Sequence, residues 1–138
     1  MNKQELEEAL HSHMQWVYSQ GEQGKRLVLK NVNLFGYNLN GVNLHGAYLY
    51  KVNLEEANLE RTDLSEAELI SVNLKNANLQ YANLHGANLS YSNLNTANLV
   101  GSNLKWVNLF SVNLDNLIME PHRKVIINLI NYFNKRFA

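Results

Sequence analysis

Leucine falls on every fifth residue from Leu29 to Leu114 without a miss, giving eighteen pentads in a row. The residue just before it is Asn in fourteen of them, and Val28, Tyr48, Asp63 and Glu68 are the exceptions. The residue two before it is small or β-branched in sixteen, with Leu27 and Tyr37 departing from that rule. Neither regular element accommodates a period of five. A helix rotates each fifth residue by about 140°, which scatters the leucines around its circumference. A flat strand sends successive fifth residues to opposite faces. The chain must therefore bend in every pentad. A bend of about a right angle closes a square coil from four pentads and puts every leucine on one axis.

The exceptions test that geometry independently. Val32, Val52, Val72 and Val112 recur at twenty-residue spacing at the inward position before Asn, with Ser92 the one gap. Val28, Tyr48 and Glu68 are also twenty apart. Four pentads per coil give about four and a half coils and a rod roughly 22 Å tall. The short Asn amide beside each leucine is suited to bonding nearby backbone at a turn, and stacked Asn side chains form ladders. Gly36, Gly41, Gly46, Gly86 and Gly101 each sit two after a leucine, at the corners, where positive φ is useful.

These pentads resemble the pentapeptide-repeat family, whose consensus is A-(N/D)-L-x-x. Ala77-Asn78-Leu79-Gln80-Tyr81 and Ala87-Asn88-Leu89-Ser90-Tyr91 match it directly. The resemblance covers residues 27–116 and implies an all-β solenoid, the right-handed quadrilateral β-helix of that family. The hand is what the resemblance implies. The stretch from Ser19 to Leu27 is similar to a lead-in segment of some members.

The flanks read differently. Residues 1–26 hold a helical stripe, Leu6, Leu10, Met14 and Val17, followed by Gly21 and Gly24 as a break. The coil is expected over 27–118. Residues 119–138 form a second helix opened by Pro121, with Ile126, Leu129, Ile130, Phe133 and Phe137 as its apolar face. Bare rod ends expose ladder edges, so both helices are expected to be caps. The C-terminal one is also suited to pairing two rods as a homodimer.

Composition narrows the function. The 138 residues fit one domain, and 12 basic against 12 acidic residues leave no net charge. Direct nucleic-acid binding is therefore not expected. There is no cysteine, no apolar leader in the first residues and no apolar run long enough to span a membrane. A cytoplasmic protein is expected. Asn88-Leu89-Ser90 matches a glycosylation sequon by chance, since Asn-Leu recurs throughout.

Site chemistry is sparse. His11 and His13 diverge on a helix, and His45 and His85 lie two coils apart with Ser65 between. All are expected to be solvated. No phosphate loop, nucleophile elbow or metal motif occurs. No cofactor, metal or enzymatic activity is expected. Two surface features remain. Glu55, Glu56, Glu60, Asp63, Glu66 and Glu68 would make an acidic belt on one coil. Val28, Tyr48, Tyr50, Ile70, Tyr91 and Phe110 would make an apolar stripe on one face, either a partner surface or a seat for the first helix. A protein-binding or scaffold module is expected. The alternative implied by the resemblance is a DNA-mimicking, topoisomerase-interacting protein of the quinolone-resistance type, whose relatives are acidic rods; this chain is neutral.

Overall fold

The structure, a computed structural model, describes residues 1–137 except for the side chains of Val125, Phe133 and Phe137. The expectations placed on Phe133 and Phe137 lie outside the described residues. In chain order the elements are α1 (Lys3–Tyr18), β1 (Val28–Lys30), β2 (Tyr48–Tyr50), β3 (Glu68–Ile70) and α2 (Pro121–Phe137). The three strands form one parallel sheet in which Leu49 pairs with Leu29 and Leu69. Isolated parallel bridges repeat the same twenty-residue step on the other sides, from Asn33–Asn53 to Asn98–Ile118. The chain is a β-solenoid.

Sixteen of the eighteen leucines are buried. Leu104 and Leu109 are only half-buried, and they line a groove against α2. Met119 continues the leucine column beneath Leu99 and is buried, so the coil runs one residue past its expected limit.

Two kinds of bond set the repeat. In each of the fourteen Asn-Leu pentads the Asn Oδ1 accepts the backbone N–H two residues on, at 2.9–3.2 Å. This Asx bond starts the bend. Asn amides also ladder between coils, as Asn53 to Asn33 at 3.0 Å and Asn73 to Asn53 at 3.1 Å. Both roles considered for Asn are thus filled. The second kind joins coils through the backbone. The leucine N–H and the corner N–H donate to the next coil, as Leu54 to Asn73 O at 2.7 Å and Glu56 to Lys75 O at 3.0 Å. The Asn N–H donates back, as Asn73 to Val52 O at 3.0 Å.

The corner residue, two after each leucine, has φ between 53° and 71° in all eighteen pentads, and only five corners are glycine. The glycines expected at corners are there, but the left-handed turn does not depend on them.

Helix α1 opens with a capping box, in which Asn2 Oδ1 accepts the Glu5 N–H and Glu5 accepts the Asn2 N–H. It lies against the first coil. The expected stripe of Leu6, Leu10, Met14 and Val17 is rotated: Leu6 and His13 are buried, and Met14 is exposed. His13 is therefore not solvated. Its Nδ1 accepts the Leu27 N–H at 3.0 Å, a bond no alkyl side chain supplies. Its ring stacks on Trp16 at 5.6 Å. Burial, aided by His45 and Arg26, holds its pKa below the ordinary 6.5.

Gly24 sits in the turn behind α1 at φ 69°. A β-carbon there would run into the Ser12 carbonyl, whereas one on Gly36 would meet nothing within 4 Å. Gly24→Ala is expected to cost about 3 kcal/mol in urea unfolding, and Gly36→Ala about 1 kcal/mol of left-handed strain. Equal costs would refute the clash.

The unfolded chain takes up a proton at His13 near pH 6.5 and the folded chain resists it. Stability is thus unaffected above that pH and falls as pH drops below it. Hydrogen exchange in residues 3–18 is expected to quicken on acidification relative to the coil. His13→Asn should remove that extra acceleration, and its persistence would rule out His13 as the cause.

Candidate functional site

Three of the four pentads that lack Asn before leucine, those of Val28, Tyr48 and Glu68, coincide with β1, β2 and β3. Without an Asx bond to start a bend, the backbone stays extended for three residues. β-Branched and aromatic residues favour that geometry. One side of the rod is thereby a small flat sheet, and it carries the stripe. The Tyr48 and Tyr50 rings stack with centroids 6.5 Å apart, and Tyr91 meets Phe110 edge-on at 5.5 Å.

The stripe residues are not equally open. Val28, Tyr91 (59 % exposed) and Phe110 (54 %) face solvent. Tyr48, Tyr50 and Ile70 are half-buried. Part of the cover on the tyrosines comes from cations: Arg26 and Lys30 lie over the Tyr48 ring at 5.9 and 5.6 Å, and Lys51 lies over Tyr50 at 5.2 Å. Helix α1 takes another seat, with Trp16 packed over Gly46. The cations were missed by reading single pentads. Writing the sequence in rows of twenty stacks Lys30, Tyr50 and Ile70 in one column, which brings out Lys30 but not Arg26 or Lys51.

Three of the six belt acids pair with cations. Glu68 pairs with Arg26 at 2.9 Å, Glu55 with Lys75 at 3.5 Å, and Glu60 with Arg61. Glu66 lies 3.9 Å from His85. Asp63 accepts from the Ser65 hydroxyl at 2.6 Å and from Asn83 at 3.2 Å. Glu56 alone of the six stands exposed without an ion pair among the described residues. His45 is half-buried and bonds Ser65 through Nδ1 at 2.9 Å. The order His45–Ser65–Asp63 puts the hydroxyl between imidazole and carboxylate. A nucleophilic relay of the Ser–His–Asp kind needs the imidazole in the middle, whereas here Asp63 accepts the hydrogen bond of the serine hydroxyl directly. Among the described residues no three His, Asp or Glu side chains cluster as metal ligands.

At the other end α2 lies against the last coil. Ile127 is buried, Ile130 is half-buried, Ile126 (63 % exposed) borders the groove beside Leu104 and Leu109, and Leu129 (55 %) is exposed. The expected apolar face is thus split between two sides of the helix. Polar side chains meet the open ladder: Glu120 accepts the Gly101 N–H at 2.7 Å, Arg123 donates to Ser102 O at 2.9 Å, and Asn134 donates to Leu109 O at 2.7 Å. Backbone N–H groups, its own and that of Gly101, hold the Glu120 carboxyl below its usual range. Bonds from Lys135 and Asn131 do the same for Asp115. Trp106, on a corner beside this helix, is 84 % exposed and was not singled out from the sequence.

Among known proteins, the family profile described as pentapeptide repeats matches residues 28–66, 67–105 and 77–116. No curated protein matches. The structure of HetL from the cyanobacterium Nostoc sp. strain PCC 7120 is 32 % identical over 69 % of this chain, with a TM-score of 0.63. It is a pentapeptide-repeat protein involved in heterocyst differentiation regulation, and this chain spans 42 % of its length. Rfr23 from the cyanobacterium Cyanothece 51142 is 32 % identical over 70 % of this chain and 82 % of its own, with a TM-score of 0.48. QnrB1, a plasmid-mediated fluoroquinolone resistance protein, is 13 % identical over 81 % of this chain and 73 % of that one, at 0.28. The last two likenesses are too loose in shape to carry an argument. With its profile match over 28–116, its in-register solenoid and its likeness to HetL, the chain belongs to the pentapeptide-repeat family.

Proposed function

We propose that this protein is a non-catalytic binding module whose partner protein docks on the face of Val28, Tyr48, Tyr50, Ile70, Tyr91 and Phe110. One observation carries the reading: Val28, Tyr91 and Phe110 lie exposed, with Tyr48, Tyr50 and Ile70 half-buried beside them, on a face held by in-register pairing. A contiguous apolar strip on a soluble protein marks a contact surface. The reading takes the solenoid as a right-handed square coil of about four and a half turns, capped by α1 and α2. The bonds from Glu120, Arg123 and Asn134 to the last coil support the C-terminal cap. A regulatory role is the one reported for HetL. Mimicry of DNA fits less well, since three of the six belt acids are paired with Arg or Lys and the chain is neutral.

Tyr91→Asn with Phe110→Ser tests the docking face. Asn already occupies the equivalent corner at Asn76, and Ser the equivalent site at Ser90, so the variant is expected to fold. Wild-type protein immobilised against a native extract is expected to retain a partner that the double variant loses. Equal retention would move the site elsewhere.

Trp106, Ile126 and Leu129 together favour a second contact, a homodimer through the α2 end. Sedimentation is expected to give a dimer for wild type and a monomer for Ile126→Ser with Leu129→Ser. A wild-type monomer at the highest attainable concentration would dismiss it.

A further inference from the structure

The docking face has a charge pattern of its own. Arg26, Lys30 and Lys51 converge on Tyr48 and Tyr50. The one carboxylate among the outward positions of β1, β2 and β3, Glu68, is taken by Arg26 at 2.9 Å. Lys30 and Lys51 have no ion pair among the described residues, although the chain as a whole carries as many acids as bases. The remaining carboxylates sit on other sides or pair there, as Glu55 with Lys75 and Asp115 with Lys135. The face therefore has a cationic end at β1 and β2 and an apolar end at Tyr91 and Phe110, with Ile70 between them.

We propose that this face takes an extended acidic segment of a partner protein, its carboxylates on Lys30 and Lys51 and its apolar side chains on Ile70, Tyr91 and Phe110. The inference rests on the docking reading above and adds the chemistry of the partner. A cation over a ring keeps its full charge, and the ring shields one side of it from water, so an incoming carboxylate meets a partly desolvated partner. Length also fits. From the Leu29 coil to the Leu109 coil is four steps of about 4.8 Å, roughly 19 Å, which an extended segment of about six residues spans. A stacked nucleic acid fits less well, because cations already lie over the Tyr48 and Tyr50 rings that bases would need. Two unpaired lysines are also too few for an anionic membrane, which is read by clusters of about four to eight.

The test selects binders from a display library of random peptides of about eight residues on the whole protein. It measures the enriched peptides by fluorescence anisotropy against three forms: wild type, Lys30→Glu with Lys51→Glu, and Tyr91→Asn with Phe110→Ser. The chain already carries Glu at both lysine positions of the repeat, in Glu55 and Glu56, so the charge-reversed form is expected to fold; circular dichroism and a thermal melt check it. Enriched peptides are expected to combine two or more carboxylates with an apolar pair. Both variants should weaken them at least about tenfold, and added salt should weaken binding to wild type. If the aromatic variant loses binding while the charge-reversed form keeps it, the face docks but the partner is not acidic, and the inference falls alone. If neither variant matters, or no peptide is enriched while a uridine octamer or anionic vesicles bind, the docking reading falls with it.

Discussion

Two places after every leucine the backbone turns left-handed, and thirteen of those eighteen corners are not glycine. Each such corner costs an L-residue about 1–2 kcal/mol, so the sum is on the order of 10 kcal/mol or more. What holds the corners is the coil beneath. The corner N–H reaches a carbonyl of the next coil, at 2.8–3.1 Å from Gly36 to Thr96, and the Asn before the leucine fixes the approach through its Asx bond. A coil without a neighbour loses the bonds that compensate the turn. Stability therefore resides in interfaces between coils, as expected of a solenoid.

The same constraint explains the face proposed for binding. Asn starts the bend through its Asx bond, and where it is missing three times in register the chain stays extended through β1, β2 and β3 before the same left-handed corner at Asn31, Lys51 and Ser71. Those positions then hold side chains chosen for something other than bending. The protein needs no loop or insertion to make a surface: a change at one position in each of three coils creates a platform held in register by the coil pairing.

The leucine column was legible because its signal repeats eighteen times with one physical cause. The twenty-residue step was legible because unlike residues recur with it. Legibility failed where a residue acts once. His13 looks like a surface imidazole on a polar helix, and only the end of the coil, with an N–H at Leu27 in need of an acceptor, reveals it as an inner residue. The face of α2 misled for a related reason. Its inner side works through Arg123 and Asn134 as well as Ile127, because an open ladder calls for hydrogen bonds along with apolar cover. The acidic belt, counted along the chain, hid its partners, since Lys75 and His85 sit one coil below the acids they meet. The aromatic stripe itself could be read from the sequence, but the cations lying over it could not be read pentad by pentad.

The direction of the ladder has a consequence for self-association. Two of the three ladder N–H groups in an interior pentad point toward the C-terminal end, and one points back. One rim of the rod is thus rich in carbonyls and the other in N–H groups. Like rims present mostly donor to donor, which disfavours a backbone joint between two C-terminal ends. Unlike rims match in every bond, which is the geometry of an unending filament. The bonds from Glu120, Arg123 and Asn134 to the last coil occupy ladder groups that such a filament would need.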